Sequence, residues 1–405
     1  VAEEQTGTEA PLKRRQMLAL IGLVVAAFVF NTSEFMPVGL LSDIAESFSL
    51  TDAQAGIMIS VYAWGVAALS LPLMVGASRF GFRELLLAVI ALFAAGQVLS
   101  AVAVSYPFLI LARLVVASAH AIFWSIVMIC AARVAGPAHA AGAMSIVATG
   151  TSIAQIAGMP LGRAIGLAVG WRMAFALVGA VALIDLVFLF RVFPELAHEE
   201  RFTLRRLPGL FHTVPLLVLF CVTVLLASGH YVAYGYIEPY LEDVASFSAT
   251  GITGALALFG IAGLVASMLF GRLYAAHRKS YLAISCLMVA AALLALLPAS
   301  GSPAAEALVL AAWSLGLTSF GIAFQALIIE IADPRDASVA MATYSGLYNL
   351  GIGCGTALGG AALDGLGAAS LGLVGGGLAL IGALGVAFLF LPLYQRFRTR
   401  VREAA

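Results

Sequence analysis

The sequence predicts an all-α membrane protein with twelve transmembrane helices arranged as two pseudo-symmetric six-helix bundles. Three observations carry this expectation. The 405-residue chain is 62% hydrophobic and only 10% charged, whereas ordinary soluble domains hold about 25% charged residues. Its apolar residues gather into twelve runs, each long enough for the roughly 20 residues that a bilayer core requires. Basic residues then fall almost entirely on one side of that topology, and the second half of the chain repeats features of the first.

Taken in order, residues 1–16 are polar and carry Lys13, Arg14 and Arg15. The apolar run that follows exceeds the roughly 7 to 15 residues of a signal-peptide core, so residues 17–41 are read as a retained first span and 1–16 as a cytoplasmic segment. Further runs at 53–76, 84–104, 107–131, 141–166 and 171–193 complete a first bundle over 17–193. The longest polar interruption, FPELAHEERFTLRRLPGLFHT from Phe193, makes 194–213 a cytoplasmic linker. Spans at 214–240, 250–273, 281–299, 304–329, 337–363 and 368–394 build the second bundle over 214–394, ahead of a basic cytoplasmic tail at 395–405.

With both termini inside, 18 of the 21 basic residues lie in inner segments, including Arg79, Arg83, Arg133, Arg205, Arg278, Lys279 and Arg400. The other three are Arg113, within the fourth span, and Arg163 and Arg172, which flank an outer loop. Basic residues concentrate on the cytoplasmic side of membrane proteins, so this placement sets the orientation. The repeat is visible in short segments. SFSLT at Ser47 recurs as SFSAT at Ser246, 199 residues later, and the fifth span aligns with the eleventh at an offset of 197, placing Gly158 on Gly355 and Gly162 on Gly359.

Several function classes are set aside. The 21 basic and 21 acidic residues cancel, so global charge points to no nucleic-acid partner. Cys130, Cys221, Cys286 and Cys354 sit in separate apolar runs without a CxxC or Cys/His cluster, and are read as packing thiols. HExxH, GxSxG and phosphate-loop motifs are absent from the sequence. An enzyme, an ATP-driven pump and a bound cofactor or metal are therefore not expected; the coupling ion, if any, is the proton.

The informative residues are polar ones inside apolar runs, where a charge costs roughly 2.5 to 3.5 kcal/mol on insertion scales and so faces a cavity or a partner. Asn31 and Glu34 interrupt the first span in AAFVFNTSEFMPVGLLSD. Arg113, His120 and Trp124 fall within an arc of about 40° on the fourth, at 100° per residue, at a depth compatible with pairing to Glu34. The set reads as a proton relay, because burial raises a carboxylate's pKa and a nearby arginine lowers it; the alternative is that Arg113 snorkels outward, His120 makes a local hydrogen bond and Trp124 packs against a neighbour. On the seventh span, His230, Tyr231, Tyr234 and Glu238 cover about 100° of the helix and give an aromatic, hydrogen-bonding strip suited to hydroxylated solutes. Tyr236 and Tyr240 read as an interfacial belt. Asn349 shares a face with Gly346, Gly353 and Gly360, where a helix or a ligand can approach the backbone. Gln97, Gln155, Asp185, Gln325 and Glu330 are weaker candidates.

These segments together resemble the bacterial sugar efflux transporters of the major facilitator superfamily, the SotB-like, drug:proton antiporter-type group, over nearly the whole chain. The resemblance lies in FNTSEFMPVGLLSDIAESF, ISVYAWGVAALSLP, HAIFWS, ATGTSIAQIAGMPLGR, GWRMAF, YGYIEP and YNLGIG. It implies the major facilitator fold and proton-driven efflux of sugars or sugar analogues by alternating access across the bacterial inner membrane, by a functional monomer. Arg113 takes the place of the fourth-helix arginine linked to proton coupling, GMPLGR resembles the antiporter signature of helix five, and Glu34, His120, Asn349 and Glu238 carry over to the central cavity. Ser78 stands where the usual inner-loop motif has an aspartate, and LVVASA after Arg113 lacks the usual glutamine and glycine. A multidrug:proton antiporter on the same fold is the nearest rival.

Overall fold

The computed structural model describes residues 12–77, 79–196, 210–333 and 337–404. Ser78, Arg205 and most of the 194–213 linker lie outside them. Helix α1 (Arg14–Phe35) passes through a 3₁₀ turn (Met36–Leu40) into α2 (Leu41–Ser47). Pro37 has no N–H to give the helical ladder, which is a physical cause for the break at this point. The chain stays helical beyond the expected end at residue 41, with Leu41, Ile44 and Ala45 of LSDIAES buried against the protein. Then follow α3 (Asp52–Ala77), α4 (Phe82–Ala101), α5 (Tyr106–Ala135), α6 (Ala140–Val169) and α7 (Trp171–Val192).

The second half opens with α8 (Val214–Tyr234), a single turn at Ile237–Pro239 and a wider turn at Tyr240–Val244. Helix α9 (Ala249–Ala299) has 51 residues, about 77 Å at 1.5 Å per residue, more than twice a bilayer core. Non-helical dihedrals at His277 bend it into two crossings. Next come α10 (Pro303–Ile331), α11 (Ala337–Leu366), and α12 (Leu371–Leu384), which runs through Gly385–Phe390 into α13 (Leu391–Ala404). Among the described residues ten helices are long and apolar enough to cross a membrane. The bend in α9 adds an eleventh crossing and the glycine-rich α11 a twelfth, so the twelve-helix, two-bundle architecture stands.

Left-handed glycines end α5, α6 and α11 at Gly136, Gly170 and Gly367, a conformation that side chains with a Cβ resist. Both copies of the repeated turn carry a left-handed serine, Ser49 in one and Ser246 in the other, two positions apart in the aligned repeat rather than at equivalent ones. Helix α1 starts, and α7, α10 and α13 end, on one side of the molecule, here called the terminal face; the opposite side is the far face. Cys130 and Cys286 are buried as packing thiols, whereas Cys221 is exposed.

The halves pack tightly toward the far face. Val38, Leu41, Ala55, Ile59, Ala63 and Met159, all from the first half, belong to the apolar core of the second. Helix α11 approaches two neighbours through different glycines. Gly351 and Gly355 lie against the α8 backbone at Val224 and Ser228, while Gly353 receives the Trp64 indole of α3. Gly353 and Gly360 thus serve close packing along the seam, the first of the two uses the sequence left open, whereas a Cβ at Gly346 would meet only Ala67 O, at 3.8 Å.

Candidate functional site

A cavity of about 400 Å³ lies between the halves. Its first-half wall is Asn31, Glu34 and Phe35 of α1, His120 and Trp124 of α5, and Thr151 and Ile156 of α6. The second half contributes His230, Tyr231 and Tyr234 of α8, Ser267 of α9, Ser314, Thr318 and Gln325 of α10, and Met341, Tyr344, Ser345, Tyr348 and Asn349 of α11. Thr151, Gln325 and Met341 lie in the terminal-face halves of their helices, so the cavity extends from Glu34 toward that face. Eight sequence-predicted site residues are brought together here: Asn31, Glu34, His120, Trp124, His230, Tyr231, Tyr234 and Asn349.

Glu34 meets His120 rather than Arg113. Its Oε2 lies 3.6 Å from His120 Nε2. The neighbouring Ser33 points about 100° away around the helix, into the first bundle, and there it takes the arginine. Arg113 donates from Nη1 to Ser33 Oγ at 3.0 Å and from Nη2 to the Ser33 carbonyl at 3.1 Å, and its guanidinium lies 4.4 Å from the Tyr62 ring centroid. Gln97 also donates to Ser33 Oγ. Arg113 is therefore a buried support behind Glu34 and does not line the cavity. The His120 ring packs edge-on against Tyr62 and Trp124, at 5.7 and 5.8 Å between centroids.

The opposite wall is aromatic. His230 stacks on Tyr234 at 4.6 Å and meets Tyr231 and Trp313 edge-on at 4.5 and 5.2 Å. Tyr234 also reaches Phe259 at 5.2 Å. Asn349 Nδ2 donates to its own helix at Ser345 O, 3.0 Å away, while its Oδ1 is buried without a partner among the described residues.

Glu238 is the second correction, because it lies on the far-face side of the seam. Its Oε1 is 2.6 Å from Arg163 Nη1, and its Oε2 accepts from the Ser42 amide at 3.0 Å. Tyr236 and Tyr240 are 1% exposed and so form no belt; the Tyr236 hydroxyl donates to Thr356 O at 3.0 Å. Of the weaker candidates, Gln325 lines the cavity, Glu330 pairs with Arg278 at the terminal face, and Asp185 is buried within the first half. The Gln155 side chain lies outside the described residues. Sequence reading missed Tyr344, Tyr348 and Arg163. The two tyrosines precede Asn349 by five and one residues on a polar strip of α11, a spacing that could have drawn them in.

Comparison with known families matches the Major Facilitator Superfamily over residues 23–324 and again over 219–405. The chain belongs to the Major Facilitator Superfamily. Its members are membrane transporters, not enzymes, and the cavity between halves is where this fold carries its solute. Among solved structures, a bacterial homologue of the human lysosomal transporter Spinster, inward-facing and unoccupied, superposes with a TM-score of 0.73 at 16% identity, covering 95% of this chain and 98% of that one. The same homologue, inward-facing and occupied, gives 0.69 at 18% identity, with 95% and 94% covered. The human organic anion transporter MFSD10 (TETRAN) gives 0.69 at 16% identity, with 93% and 100% covered. At these identities the likeness bears on fold alone.

Proposed function

We propose that this major facilitator transporter exports a neutral sugar or sugar-like solute in exchange for protons across the bacterial inner membrane, as a monomer with both termini in the cytoplasm. The observation that carries this reading is Glu34, the one carboxylate among the described residues that line the cavity, whose wall is otherwise built of aromatic rings, hydroxyls, amides, imidazoles and aliphatic side chains such as Ile156, Leu317 and Ile352. Among the described residues the wall has no Lys or Arg and a single carboxylic acid, so it offers an anionic solute no counter-charge. Tyrosine and tryptophan faces stack on the C–H faces of a sugar ring, while Asn31, Asn349 and Gln325 offer hydrogen bonds to its hydroxyls.

In this reading Glu34 alternates between a proton and its contact with His120. Arg113 holds Ser33 from behind, fixing the helix turn that aims Glu34 into the cavity. A solute shifts the two-state equilibrium only by its difference in affinity for the two states. One proton moving down a membrane potential supplies about 2.3 kcal/mol per 100 mV, roughly a fifty-fold gradient of a neutral solute. With cytoplasmic termini, the present state is closed toward the outside.

The aromatic density around one carboxylate also fits a lipophilic cation, the multidrug:proton reading. Uptake into inverted membrane vesicles energised by an imposed proton gradient, with a panel of labelled sugars and lipophilic cations, separates the two. Accumulation of sugars but not cations is expected; the reverse pattern would replace the sugar reading, and accumulation of neither would remove both.

A further inference from the structure

On the far-face side of the cavity, one carboxylate joins the two halves by both of its oxygens. Glu238 Oε1 takes Arg163 Nη1 at 2.6 Å, and Oε2 takes the Ser42 amide at 3.0 Å. The same Arg163 nitrogen donates to Gly39 O at 2.7 Å. Arg163 comes from α6, and Gly39 and Ser42 from the α1–α2 junction, all in the first half. Glu238 is the second half's contribution, so its bonds to Arg163 and to the Ser42 amide cross the seam, while the Arg163 bond to Gly39 O braces the arginine within the first half. Both charged side chains are almost fully withdrawn from solvent, at 2% and 3% exposure. Beside them Tyr236 fills a notch between Gly56 of the first half and Gly359 and Gly360 of its own, which closes the seam around the pair.

We infer that Arg163 and Glu238 form an ionic latch that holds the far face shut and must separate in every transport cycle. A transporter of this fold exposes its site to one side and then the other by rocking one bundle against the other, and the latch spans the surface that must part. Within the seam, among the described residues, the two charges meet each other, the Gly39 carbonyl and the Ser42 amide and hydroxyl, with the Asp43 carboxylate close to Arg163. Once the bundles part, water takes over both charges. The latch therefore sets the ratio of closed to open states while leaving the solute site unchanged. The proposal depends on alternating access alone, not on the identity of the solute or the role of the proton.

The test is a distance measurement between nitroxide labels placed at Val104 and Leu366, which are 88% and 71% exposed on far-face ends of the first and second halves. The background is the full chain with its four native cysteines replaced, in lipid nanodiscs. The parent protein should give a distribution dominated by the short, closed distance. In Glu238→Gln the ratio of separated to closed molecules should rise about tenfold, the factor that one charge-assisted hydrogen bond is worth. The double variant Arg163→Gln/Glu238→Gln, which leaves neither member of the pair stranded, should shift in the same direction. If Glu238→Gln fails to fold, the double variant decides. A folded double variant with the parent's distance distribution would overturn the latch, even if sugar export itself were unaffected or never observed.

Discussion

Two glutamates, Glu34 and Glu238, both sit in membrane-embedded helical regions beside a basic partner, and they do different things. Glu34 keeps 13% of its side chain exposed to the cavity and stands 3.6 Å from His120, its one ion pair among the described residues. Glu238 is 3% exposed and held by a guanidinium at 2.6 Å and a backbone amide. The first can exchange partners; the second can only be held or released. Environment, not residue type, separates a carboxylate open to the cavity from one locked in the seam, and the two should respond differently to the same kind of damage.

The largest expected difference is in stability. Arg163→Leu strands a buried carboxylate and should cost about 3 to 5 kcal/mol, most of it recovered in Arg163→Leu/Glu238→Leu. Removing Glu34's partner in His120→Ala should cost far less, about 1 kcal/mol, since cavity water can reach that carboxylate. Thermal unfolding of the four proteins in one detergent checks this; equal losses for the two single variants would erase the distinction.

A smaller effect is expected where helix packing within the second half depends on missing side chains. A Cβ at Gly355 would sit 2.9 Å from the Ser228 Cα, so Gly355→Ala should destabilise by about 1 to 3 kcal/mol. Gly377 has nothing within 4 Å of that position, and Gly377→Ala should be neutral or slightly stabilising. The smallest change is local to the solute wall. Asn349→Ala should leave the unfolding temperature nearly unchanged and weaken solute binding about fivefold, the value of one hydrogen bond, read as a reduced ligand-induced shift in melting temperature.

Much of this was legible in the sequence for reasons that can be named. Twelve apolar runs and one-sided arginines depend only on hydropathy and charge, which the bilayer reads residue by residue. Glu34 stood out because a lone carboxylate in an apolar run needs a destination. Glu238 was placed in the cavity by carrying 100° per residue through from His230, but α8 ends at Tyr234 and Tyr236 leaves the helical region, so the phase is lost before Glu238. Arg113 does share an arc with His120. Seven residues separate them, about 10 Å along the axis, and the arginine turns inward to Ser33 while the histidine faces the cavity. Arg163 was invisible as a latch because an arginine at the end of a span reads as interfacial; its partner is 75 residues away in sequence and only the packing of the halves joins them.

The central claim is that Glu34 couples solute movement to protons. The most direct measurement uses Glu34→Gln reconstituted in vesicles, with counterflow and proton-driven accumulation assayed on the same preparation. Glutamine keeps the size and the hydrogen-bonding oxygen but fixes the site in a neutral state. Counterflow should persist within a few-fold of the parent while accumulation against a gradient disappears. Proton-driven accumulation equal to the parent's would contradict the account and leave His120 as the remaining titratable group on that wall.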